Sequence, residues 1–159
     1  MDDLLKLLRD NASLNHSQLS GMLNTSEQEI GDRIANYEKD EVILGYRTVL
    51  NEEKLNVEIV RAVIEVKITP EREGGFDRFA LRISKFNEVQ SCYLMSGGYD
   101  LLVIVEGSDL RAVSTFVSEK LATMSGVIST ATHFILKPYK EFGVMMSGEY
   151  SDEKLSVSP

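Results

Sequence analysis

The sequence predicts an α+β protein, a small helical unit at the N-terminus followed by a ferredoxin-like βαββαβ unit. Three observations carry this expectation. Residues 2–41 hold three short runs of apolar residues at helical spacing, set off by capping and breaking residues. From Val57 onward, alternating apolar and polar stretches take turns with i, i+3, i+4 stretches in the order strand, helix, strand, strand, helix, strand. Between the two middle strands lies Ser96-Gly97-Gly98-Tyr99, whose paired glycines suit a tight turn because they reach positive φ at no steric cost.

Leu4, Leu5, Leu7 and Leu8 predict a first helix over 2–10, with acids in its first turn and Arg9 near its end, as the helix dipole favours. Asn15 or Ser17 caps a second helix carrying Leu19, Met22 and Leu23, and Asn24-Thr25 ends it. Ser26 then caps a third, with Glu29 completing a capping box and Ile30, Ile34 and Tyr37 forming the buried stripe. Two short helices joined by a tight turn, the second the longer, is the helix-turn-helix arrangement. Residues 42–50 are rich in β-formers and read as a strand leading out of this unit. The polar stretch 51–56 reads as a linker.

Val60, Ala62, Ile64, Val66 and Ile68 predict one face of a strand running from Val57 to Pro70, with Arg61, Glu65 and Lys67 on the other. Gly74-Gly75 precede a helix with Phe76, Phe79, Ala80 and Ile83 inward, and residues 89–95 form the next strand. Leu101 to Val105 is apolar on both faces, so it needs cover on both sides. Ser108 or Asp109 caps a second helix with Leu110, Val113, Val117 and Leu121 inward, and Gly126 stops it. Residues 127–136 form the last strand, Ile128, Thr130, Thr132, Phe134 and Leu136 alternating with Ser129, Ala131, His133 and Ile135. The resulting four-stranded sheet carries both helices on one face and leaves the other bare, which predicts a homodimer. Tyr139, Phe142, Val144 and Met145 are candidates for an added edge strand, and residues 148–159 read as a flexible tail.

Composition narrows the function classes. With 43% apolar and 26% charged among 159 residues, the chain is ordinary globular material. It has no run long enough for a membrane span, and its acidic start is unlike a signal peptide, so a cytoplasmic protein without membrane partners is expected. Cys92 alone allows neither an intrachain disulfide nor a cysteine-based metal site. No metal or cofactor is expected, because no ligand cluster or phosphate-binding glycine loop stands out. His16 and His133 are the only histidines, and neither has a nucleophile at a recognisable spacing. A net charge of −8 argues against non-specific affinity for nucleic acid or anionic membranes.

The helix-turn-helix followed by βαββαβ, with the third helix written SEQEIGDRIANYEKDEVILGY, the hairpin SGGYDLLV and the last strand GVISTATHFIL, resembles the Lrp/AsnC family of feast/famine transcriptional regulators over nearly the whole chain. The resemblance implies a winged helix-turn-helix DNA-binding-type domain over 1–50, a linker over 51–56 and an effector-sensing and oligomerisation (RAM) domain over 57–147. It implies partners as well: double-stranded DNA, an amino-acid effector, and further chains in a homodimer that assembles to an octamer or similar. By position, the recognition helix would present Ser26, Glu27, Gln28, Gly31 and Asp32 to DNA, with Arg33, Lys39 and Arg47 available to phosphates. The effector region would be Gly97, Gly98, Tyr99 and Asp100 on the hairpin with Thr132, His133 and Phe134 on the last strand. There a glycine N–H and a hydroxyl would meet a carboxylate and Asp100 would accept from an ammonium.

In charge the recognition helix departs from that pattern. Residues 26–41 hold six acids against two bases, and residues 2–41 nine against four. Phosphate contacts supply most protein–DNA affinity and need Lys or Arg. Glu41 stands where such proteins usually carry glycine, and Ser20 where alanine is typical of the second helix. Two readings stay open, a DNA-binding amino-acid-responsive regulator and an amino-acid-binding oligomeric relative with weakened or lost DNA binding. The siroheme decarboxylases, which resemble this family, share the architecture, yet this chain shows no catalytic constellation and no enzyme is expected.

Overall fold

Helix α1 (Asp3–Asp10) opens the chain because the Asp2 carboxylate accepts from the Leu4 N–H at 2.8 Å, satisfying one orphan donor of its first turn. The computed structural model describes residues 1–70 and 75–146, so the expected tail 148–159 and Gly74 lie outside the described residues. The chain divides into two units, at Val49 and Leu50.

In the first unit, α2 (His16–Leu23) and α3 (Glu27–Lys39) follow α1. Leu4, Leu8, Leu19 and Ile30 are the buried centre, ringed by Leu7, Leu14, Leu23, Ile34, Tyr37 and Ile43. The turn between α2 and α3 is made by Asn24 in the left-handed conformation, φ 52°. Two local expectations are corrected. The reciprocal capping box belongs to α2, where Asn15 and Gln18 each bond the other's backbone N–H. At α3 only half of one forms: Ser26 accepts from the Glu29 N–H at 3.1 Å, but the Glu29 carboxylate takes the Thr25 hydroxyl instead. Residues 42–50 are not a strand, because no described segment pairs with them, and Leu44 is 87% exposed. A strand without a ladder partner leaves its N–H and C=O groups to water.

The second unit begins with a one-turn helix, α4 (Glu52–Leu55), inside the stretch the sequence reads as a polar linker. Asn51 caps it, and Asn56 ends it at φ 50°. The sheet comprises β1 (Val60–Ile68), β2 (Val89–Leu94), β3 (Leu101–Gly107) and β4 (Val127–Phe134), antiparallel in the order β2-β3-β1-β4. With α5 (Asp77–Ile83) between β1 and β2, and α6 (Leu110–Thr115) between β3 and β4, this is the expected ferredoxin-like path. Ala62, Ile64, Val66 and Ile68 meet Leu101, Val103 and Val105 beneath Phe79, Ile83, Val113, Phe116 and Leu121, all buried.

Differences from expectation have local causes. The strands are shorter: β1 starts at Val60, β2 stops at Leu94, and β4 stops at Phe134, four residues before Pro138, which has no N–H for a ladder. Helix α6, capped by Asp109, runs into a π-helical turn over Phe116–Leu121. Phe116 and Leu121 of that wider turn are buried in the core, while Leu110, the first residue of α6, is 58% exposed rather than inward. A register shift between Lys67 and Ile68 makes Ile128 the extra residue of β4, so it is 65% exposed instead of sharing the face of Thr130. The C-terminal apolar residues form a separate small hairpin, β5 (Lys140–Glu141) and β6 (Val144–Met145), turned by Phe142 at φ 47° and Gly143 at φ 84°.

Candidate functional site

The outer surface of α3 is the first candidate. Glu27, Gln28 and Asp32 stand exposed on it, with the Gln28 amide donating to the Asp32 carboxylate at 3.1 Å, while Ser26 caps its start and Lys39 ends it. Two predicted members are turned elsewhere. Gly31 faces α2, where a Cβ would stand 3.4 Å from the His16 ring, so it serves close helix packing rather than a groove contact. The Arg33 guanidinium bonds both oxygens of Asp2 at 2.7 Å, and the Tyr37 hydroxyl donates to the same carboxylate. The Tyr37 hydroxyl foremost, then Arg33 and the Leu4 N–H, lower the Asp2 pKa from 3.8 to about 2. One of the two bases of the helix is thereby held in an internal ion pair. Arg47 lies in the unpaired stretch beyond, with interactions of its own.

At the helix end the chain forms a Schellman motif. Val42 N–H reaches Tyr37 C=O at 2.8 Å and Glu41 N–H reaches Glu38 C=O at 3.2 Å, with Glu41 at φ 56°. This left-handed position is the one glycine usually occupies. The departure at Glu41 is thus both an extra acid and a strained backbone residue.

The second candidate is the β2–β3 turn with the end of β4. Only Gly97, at φ 130°, needs glycine; Gly98 takes an ordinary conformation. The Asp100 carboxylate accepts from the Ile68 N–H at 2.8 Å, satisfying the residue at the register shift, and the Asp100 N–H donates to Val66 C=O at 3.0 Å. Asp100 is therefore a clasp between the hairpin and β1. Tyr99 is half-buried beside it.

Within one protomer the two halves of this candidate do not meet. Leu101 pairs with Val66, which pairs with Thr130, and the turn lies beyond that row. Phe134 is four residues farther along β4, about 13 Å at the usual strand rise. The register also places Thr132 and Phe134 opposite Ile64 and Ala62, on the helix-covered side, and Phe134 packs against the core. His133, opposite Val63, points to the bare face, where it lies 3.4 Å from Glu65.

That bare face carries Val63, Leu102 and Ile104, half-buried, and Tyr93, 51% exposed. At one end sits a charge cluster that sequence reading passes over. Arg61, its side chain only 14% exposed, bonds Glu106 of β3 at 2.6 Å, Glu141 of β5 at 3.4 Å and Glu52 of α4. In sequence Arg61 is one of three charged residues, with Glu65 and Lys67, on the outer face of β1, and nothing there sets it apart. Among the described residues no group of three or more His, Cys, Asp or Glu side chains could hold a metal ion, and no helix is long and apolar enough to cross a membrane.

Residues 61–145 match the family model of the Lrp/AsnC ligand binding domain. The chain is 40% identical over 158 residues to an uncharacterized HTH-type transcriptional regulator, YugG, of Bacillus subtilis (strain 168), covering 99% of this chain and 95% of that protein. It is 30% identical over 141 residues to a proline dehydrogenase transcriptional activator of Rhizobium radiobacter, covering 89% and 90%. Among solved structures, a transcriptional regulator of Neisseria meningitidis in complex with L-Met superposes with a TM-score of 0.67 at 28% identity, covering 89% of this chain and 93% of that one.

Proposed function

The chain belongs to the Lrp/AsnC family, and on that premise we propose that it is an amino-acid-responsive transcriptional regulator acting in the cytoplasm. The observation that carries this is the pairing of a three-helix unit, whose α3 presents an open outer face, with a sheet unit matching the family's ligand binding domain. Regulation rather than catalysis is its role. Two protomers meet through the bare sheet faces, where Val63, Leu102, Ile104 and Tyr93 give an apolar centre, and dimers associate further to an octamer or similar. Gly97, Gly98 and Tyr99 of one protomer and His133 of another then line an effector site that no single protomer completes. Thr132, Phe134 and Asp100 support it from behind. The effector shifts the assembly, and with it the spacing of the paired α3 helices.

DNA affinity per protomer is weak on this reading. Glu27, Glu29 and Asp32 repel phosphates at the start of α3 and Arg33 is held by Asp2. Lys6 and Arg9 are exposed but each stands beside an acid, Asp3 at 2.7 Å and Asp10 at 3.8 Å, so binding draws on these bases and Lys39 and above all on multiplication of weak contacts across the assembly. The same Asp2–Arg33 pair favours a second reading, an amino-acid-binding relative that has lost DNA recognition. Fluorescence anisotropy of a DNA fragment from immediately upstream of the protein's own gene decides between them. Saturable binding at low salt that resists competitor DNA and weakens steeply towards physiological salt is expected. No binding even at low salt leaves the second reading in place.

A further inference from the structure

Past the last β1–β4 pair, Ala62 with Phe134, one further bond joins the strands, Ile135 N–H to Arg61 C=O at 2.9 Å, and beyond it they separate, with α4 before β1 and Pro138, which has no N–H for a ladder, after β4. The β5–β6 hairpin closes over the gap, tied to α4 by the Asn51 side-chain amide donating to Met146 C=O at 3.3 Å. What remains is a cleft of about 190 Å³. Its charged lining is Glu52, Glu53, Arg61 and Lys137, two of each sign, and its apolar wall includes Val57, Ile59, Ile135 and Pro138.

We propose that this cleft binds a small aliphatic α-amino acid, at a site contained within one protomer and separate from the hairpin turn. Charges of both signs beside an apolar wall complement a zwitterion with an aliphatic side chain. Arg61 is already held by Glu52 within the lining and by Glu106 and Glu141 outside it, so carboxylates outnumber cations around the cleft, and the ligand's ammonium is the more strongly held end, on Glu53 with Glu52 beside it. Lys137 takes the carboxylate. Size agrees as well: an apolar cavity of about 150 Å³ accepts benzene, so this one holds a branched aliphatic side chain with part of its head group. The inference rests on the amino-acid-responsive reading and adds where one ligand sits. Because α4 contributes Glu52 and Glu53, an occupant acts on the first helical turn after the N-terminal unit.

The test is isothermal titration of the full chain with L-leucine, L-valine and L-methionine. Isocaproate and isoamylamine, which keep leucine's branched chain but lack its amino and carboxyl groups respectively, serve as probes of the two ends. Val57→Trp, which fills the cleft, and Lys137→Gln are compared with Tyr99→Ala at the hairpin turn. The expected result is two classes of site in the unaltered chain: Tyr99→Ala keeps the cleft's, Lys137→Gln weakens the cleft's about tenfold, the loss of one charge-assisted contact, and Val57→Trp keeps only the hairpin's, with the oligomeric mass unchanged. Isocaproate should bind the cleft least. An isotherm that Val57→Trp leaves unchanged overturns the cleft while leaving the regulator reading intact. So does a Val57→Trp chain that falls apart into monomers, which would make the cleft a contact between copies. If none of the three amino acids binds the unaltered chain, the cleft proposal falls, while the regulator reading stands or falls by the DNA titration.

Discussion

Asp2 does two jobs that no periodicity argument connects: it caps α1 and it neutralises Arg33 thirty-one residues away. Its carboxyl is held at about 2, against 3.8 ordinarily. A depressed acid pKa adds stability above the unfolded value and loses it as pH falls through the folded value, so the window lies between about pH 4 and pH 2. With both side chains nearly a third exposed, solvent screening leaves about 1 kcal/mol. Asp2→Asn should therefore melt below the unaltered protein at neutral pH, with the gap closing over that window. Since asparagine caps a helix as well as aspartate does, a gap that stays constant down to about pH 2 would show that the charge of Asp2 is not what stabilises. The sequence marks Asp2 as a first-turn acid, but the partnership with Arg33 and Tyr37 depends on how α1 lies against α3.

Among elements, the end of α3 shows a local rule broken and identifies what it costs. A Schellman turn requires φ > 0 at the residue after the cap, and Glu41 supplies it at φ 56° where glycine would do so freely. Glu41→Gly should stabilise the chain by about 0.5–1 kcal/mol, with relief of strain exceeding the entropy of the added glycine. It should also tighten DNA binding at low salt by removing one of six acids in and beside the helix. Glu41→Ala separates the two effects, since it removes the charge and keeps the strain. Equal melting temperatures for the two variants would rule out the strain. In the second unit the same kind of local detail sets the core: Phe116 and Leu121 of the π-helical turn are buried in it, and the shift at Lys67 and Ile68 turns Ile128 out. A one-residue widening or insertion leaves no trace in apolar spacing, which is why a straight helix and a regular strand are the natural reading of those segments.

For the whole molecule the governing fact is a sheet with helices on one side only. Val63, Leu102 and Ile104 are partly exposed on the other, so Ile104→Glu should leave the fold intact and yield monomers by sedimentation, since a charge on this face cannot be desolvated against a second copy. An Ile104→Glu protein that sediments as the unaltered one does would place the interface elsewhere. The hairpin and β4 halves of the candidate effector site are separated along the sheet and split between its two faces within one protomer. Family spacing brings them together on paper because strand neighbours in sequence alternate between faces, and only the register tells which side each residue takes.

By itself the sequence determined the three N-terminal helices and the βαββαβ order after them, the cap at Ser26, the buried face of β1 and the bare second face of the sheet, and it narrowed two further caps to Asn15 or Ser17 and to Ser108 or Asp109. All of these follow from short-range periodicity and side chains bonding nearby backbone. The family resemblance was legible for the same reason, in motifs strung in order along the chain. Tertiary structure alone decided that Arg33 is tied to Asp2, that Asp100 clasps Ile68, and that Arg61 gathers three glutamates from three elements beside a cleft. Each of these joins groups far apart in sequence. Their energy depends on distance and exposure, and the packing of the elements fixes both.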